Sequence, residues 1–78
     1  MNEQTGVLAP AIERLIRREA LSEGDIAAIR AYLRQWIAAE GFQGPGIEEL
    51  RLAVEGLTSR EAIDRWIAVA VEEGLDPL

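Results

Sequence analysis

The chain contains no cysteine and no histidine, and all eight of its basic residues are arginine. Missing cysteine and histidine exclude disulfides and thiolate or imidazole metal sites. A nucleophile activated by histidine is excluded with them, and a lysine nucleophile is missing as well. No stretch approaches the roughly 20 consecutive apolar residues of a membrane span. Residues Met1 to Gly6 are polar and carry no basic leader, so a cytoplasmic protein without a membrane segment is expected. Split into two domains, 78 residues would leave each at a size that usually needs disulfides or metals. One domain over 1–78 is therefore expected, held by burial of the 49% of residues that are apolar. With a mean hydropathy of +0.01, the chain is far from the composition of an acidic disordered segment.

What is present reads as helix. Leu8, Ile12, Leu15 and Ile16 recur at helical spacing, and Pro10 is best tolerated in a first turn, which predicts helix one over about 9–20 behind a flexible tail at 1–7. In Ser22-Glu23-Gly24-Asp25, Ser22 can cap a second helix, Asp25 can reach back to the amide of Ser22, and Leu21 can staple onto Ile26. That helix spans 23–40 with Ile26, Ile29, Leu33, Trp36 and Ile37 on one face. Gly41 is expected to end it in a left-handed conformation that returns Phe42 to Ile37. The Gly/Pro loop 41–46 divides the chain. Helix three, over 46–55, shows Ile47, Leu50 and Val54, with Gly56 as its left-handed stop. Thr58-Ser59-Arg60-Glu61 fits a capping box with Thr58 as the cap, so helix four runs over 59–73 through Ile63, Trp66, Ile67 and Ala70 to a left-handed Gly74. No segment alternates with period two. The expected fold class is all-α: a compact four-helix domain of two helical hairpins (about 9–20, 23–40, 46–55, 59–73).

Catalytic means are scarce. Ser22 and Thr58 are accounted for as caps, which leaves Thr5, Ser59 and Tyr32 as hydroxyls without a base to activate them. A carboxylate pair would need a pocket that raises one pKa, and a domain this small has little interior for one. Neither a phosphate-binding glycine loop nor a calcium loop is present. A non-enzymatic chain with no cofactor and no metal is expected. Arg14, Arg17 and Arg18 on helix one, and Arg30 and Arg34 on helix two, raise the question of a DNA-binding helix-turn-helix. Residues 1–39 nevertheless hold five acids against five arginines, and DNA affinity needs a net basic footprint.

The whole formal charge of −6 resides in residues 40–78, where nine acids meet three arginines. Glu48, Glu49, Glu55, Glu61, Asp64 and Glu72 form the candidate acidic partner surface, suited to a basic protein partner. Apolar residues beyond the needs of one core form a second candidate surface: Tyr32, Leu52, Val69 and Val71. Helix four either lies at the centre of the domain or presents part of its wide apolar arc to another chain, a symmetric homodimer being the commonest such arrangement. These features point to a helical protein–protein interaction module that self-associates or docks on a larger protein. The alternative is an inhibitor of phage or mobile-element type, anti-CRISPR-like or antitoxin-like, whose acidic face occupies a nucleic-acid-binding site. A helix-turn-helix DNA-binding protein is the third reading.

Overall fold

The computed structural model describes residues 3–39 and 44–78. Four α-helices follow one another: α1 (Glu3–Ile16), α2 (Glu23–Ala39), α3 (Pro45–Ala53) and α4 (Arg60–Glu72). A 3₁₀ turn at Val54–Gly56 follows α3, and no strand occurs among the described residues.

Helix α2 is the hub. Its Ile29, Leu33 and Ile37, one turn apart, are fully buried, and it packs on α1, on α3 and on the 3₁₀ turn. Ala11 and Leu15 close the core from α1, Ile47 and Leu50 from α3, Val54 and Leu57 from the turn region, and Ile63, Trp66 and Ala70 from α4. The question of whether α4 is central is thereby answered, since that place belongs to α2 and α4 packs chiefly on α3. At 100° per residue the buried stripe of α4 leaves Val69 and Val71 on opposite edges.

The start of α2 follows the expected reciprocal box. Ser22 Oγ accepts from the amide of Asp25 at 3.1 Å, and Asp25 Oδ2 accepts from the amide of Ser22 at 3.0 Å. The end of α4 is likewise as expected: Gly74 has φ +84°, its amide donates to the Val71 carbonyl, and that of Leu75 donates to Ala70. These two bonds define a Schellman motif. The corresponding expectations for Gly41 and Phe42, and for loop residues 41–43, lie outside the described residues.

Other boundaries differ from the sequence reading. Residues 3–7, expected as a tail, belong to α1, and Pro10 lies inside that helix. It cannot donate to the carbonyl of Gly6, which its ring also crowds. The helix also ends four residues earlier than expected, because Arg18 takes φ +63°. Its amide donates to Leu15 and that of Glu19 to Arg14, a second Schellman motif with an arginine in the glycine position. Pro45, expected in the loop, opens α3 one residue before the expected start and lies in its first turn. Gly56 does not stop α3 through a positive φ; the helix tightens into the 3₁₀ turn instead, which carries Leu57 into the core. Ser59, not Thr58, caps α4: its backbone is extended and its Oγ accepts from the amide of Ala62 at 3.2 Å. Since Ala62 stands at the third helical position, no glutamate completes a box.

Two stability predictions arise from these helix ends. Arg18→Gly should raise stability by about 1 kcal/mol, because a left-handed arginine carries a strain that glycine lacks. Ser59→Ala should cost about 1 kcal/mol and Thr58→Ala clearly less. Urea unfolding of the three variants checks both.

Candidate functional site

Helices α3 and α4 run antiparallel, as three points along them indicate. At one end, the Glu73 carboxylate lies so close to Gly46 that a Cβ there would collide with it. This contact brings a negative charge to the amino terminus of α3, where the helix dipole favours it. Midway, the buried indole of Trp66 donates from Nε1 to the Leu50 carbonyl at 2.9 Å. At the other end, Leu57 and Ala62 line a common cleft. This cleft, of about 250 Å³, runs between the two helices, and its lining includes Leu50, Ala53, Leu57, Ala62, Trp66 and Val69. Glu49 lines its α3 wall and Arg65 its α4 wall.

The floor is rigidly supported. Trp66 meets Trp36 of α2 edge to face, with ring centroids 6.3 Å apart and planes at 72°, an arrangement favoured by the ring quadrupoles. From α2, Arg30 donates to the Leu57 carbonyl at 3.1 Å. Arg34 grips both carboxylate oxygens of Glu55 at 2.7 and 2.8 Å. From the first turn of α4, Arg60 donates to the carbonyls of Leu15 and Glu19 at the end of α1. That end carries the partial negative charge of the helix dipole, which a guanidinium complements.

These bonds redistribute the expected acidic surface. Glu55 is held by Arg34, Glu48 by Arg51 at 2.7 Å, and Asp64 lies 3.7 Å from Arg60. The hydrogen bonds from Arg34 hold the Glu55 carboxyl below its ordinary range. Glu49, Glu61 and Glu72 are exposed without an ion pair among the described residues. Three of the six carboxylates thus stand beside an arginine and three do not.

The apolar candidates divide as well. Val69 is 37% exposed, Val71 57% and Leu52 77%, so all three remain uncovered in the single chain. Only Val69 lines the cleft. Leu52 points away from Ile47 and Leu50 on the outer side of α3, and nothing in the structure accounts for it. Tyr32, expected on the candidate apolar surface, is half-buried and donates to the Pro77 carbonyl at 2.7 Å. It fastens the C-terminal segment to α2. Sequence reasoning missed Arg65 and Ala53. The signal for Arg65 was its placement with Ala62 and Val69 on one stripe beside Trp66, at spacings of three and four.

Asp25 is the one buried charged side chain among the described residues, at 6% exposure. A buried carboxylate invites an acid–base reading, which requires a raised pKa. Here the amide of Ser22 and the Arg14 guanidinium, 2.8 Å away, hold it below its ordinary value. Asp25 is thus a stable anion that joins the end of α1 to the start of α2. No group of three or more metal-binding side chains gathers, and no helix is long and apolar enough to cross a membrane, among the described residues. No family model, curated protein or solved structure matches the chain.

Since the folded-state pKa of Asp25 is depressed, its stabilising effect is complete above the ordinary carboxylate value and is lost as pH falls below about 4. Asp25→Asn should therefore be less stable than the parent at pH 7, and the gap should narrow steadily below pH 4. Urea midpoints of both proteins across this range check it, and a gap independent of pH would contradict the assignment.

Proposed function

We propose that this chain is a non-enzymatic helical protein-interaction module that receives its partner in the cleft between α3 and α4. The observation that carries the reading is the open apolar cleft itself, floored by Trp66 and edged by a half-exposed Val69. Concave apolar sites with a few polar groups at their margins are where binding energy concentrates. The engagement of the polar inventory supports a role without catalysis. Ser22 and Ser59 cap helices, Tyr32 holds Pro77, and Asp25 is fixed as an anion.

The alternatives draw less support from the same side chains. A mimic of nucleic-acid phosphates needs a run of free carboxylates, yet Glu48 and Glu55 are engaged by Arg51 and Arg34, and Arg60 lies beside Asp64. DNA binding needs free arginines, yet Arg14 pairs with Asp25, Arg17 with Glu13 and Arg34 with Glu55, while Arg30 and Arg60 are bonded to carbonyls.

Affinity capture from extracts of the native host tests the reading with three baits. The parent chain should retain a partner, whether its own copies or a larger protein. Val69→Glu should lose it, because a charge in the cleft forfeits burial, whereas Leu52→Glu should keep it. Equal recovery by all three baits, or loss with Leu52→Glu alone, would overturn the proposal.

A further inference from the structure

The cleft carries one charge of each sign. Glu49 lines the α3 wall and Arg65 the α4 wall, both exposed, and neither has an ion pair among the described residues. They are the two charged side chains in its lining, whereas several neighbours are engaged in pairs. On α3, Glu48 holds Arg51; on α4, Arg60 lies beside Asp64. A basic helix laid in the cleft would confront Arg65 with like charge, and an acidic one would confront Glu49. The occupant that suits both walls brings an arginine to one and a carboxylate to the other.

Resting on the proposed role of the cleft, we infer that its occupant is a second copy of this chain, related by a two-fold axis that sets Glu49 of each protomer against the partner's Arg65. A two-fold interface is self-complementary, so a contact from Glu49 to the partner's Arg65 is matched by its reciprocal at no further geometric demand. Two charge pairs then flank an apolar centre in which Val69 becomes buried. Ala53, Gly56 and Ala62 have no side-chain atoms beyond Cβ, which lets the helices of the two copies approach closely. The overall charge of −6 opposes association only weakly at physiological salt, because charges farther apart than about 8 Å are screened.

Sedimentation equilibrium of the purified chain tests this, with circular dichroism confirming that each variant is folded. The parent should be a concentration-dependent dimer. Glu49→Arg should weaken it more than about tenfold, since arginine then faces arginine across the interface, and Arg65→Glu should do the same with two carboxylates. An equimolar mixture of the two single variants should form a heterodimer, because every cross-chain contact is again an arginine with a glutamate. No contact within one chain can produce that rescue. Val69→Glu, which leaves both charges in place, should also be monomeric. A parent chain that stays monomeric at near-millimolar concentration would overturn the inference, as would single variants that dimerise normally or a mixture that stays monomeric. The host-extract capture separates the two claims: a monomeric parent that still loses a larger partner through Val69→Glu sinks the pairing and leaves the cleft as a docking site.

Discussion

The indole of Trp66 is the point on which this small fold turns. It is buried, it donates to the Leu50 carbonyl of α3, and it stacks edge to face on Trp36 of α2. Three helices are thereby held by one side chain. An indole N–H deep in a core is costly unless it finds an acceptor, and the Leu50 carbonyl, which also receives the amide of Val54, supplies one. That bond fixes the distance between α3 and α4, and with it the width of the cleft whose floor the same ring forms.

Around this centre the arginines act mainly as struts. Arg60 closes the end of α1 from the start of α4, Arg30 holds the Leu57 carbonyl, Arg34 clasps Glu55 and Arg14 pairs with Asp25. Each joins segments distant in sequence. A chain that lacks cysteine, histidine and lysine thus links its elements with planar, always-charged forks suited to carbonyls and carboxylates. The same economy defines the surface. Where arginines are spent on internal acceptors, fewer remain free at the surface, and Glu49 and Arg65 are the two charges that line the cleft.

Much of the architecture was legible because its signals are local. The stripe of Ile29, Leu33 and Ile37, the Ser22 and Asp25 box and the glycine stop at Gly74 each declare themselves within a few residues. The misplaced boundaries were those decided by long-range contacts or unusual backbone. Nothing in Arg17-Arg18-Glu19 announces a left-handed arginine. Thr58 and Ser59 offered adjacent hydroxyls, and the glutamate three residues after Thr58 favoured the wrong one. With Ser59 as the cap, α4 starts at Arg60, the residue whose guanidinium reaches Leu15 and Glu19. The exposure of Val69, Val71 and Leu52 could be anticipated from an apolar arc wider than one core requires. The cleft could not, because its walls come from two helices, and Arg65 acquires its meaning only once the bonds of the other arginines are known.

The central claim is that the α3–α4 cleft is where this protein meets another molecule, and that the molecule is its own copy. Amide spectra of the purified chain over a concentration series test it most directly. The account predicts that the resonances of Glu49, Ala53, Ala62, Arg65 and Val69 shift together as concentration rises, while those of Arg17 and Leu52 hold still. Shifts centred on Leu52 or Val71, shifts spread along α1, or spectra that do not change with concentration would contradict it.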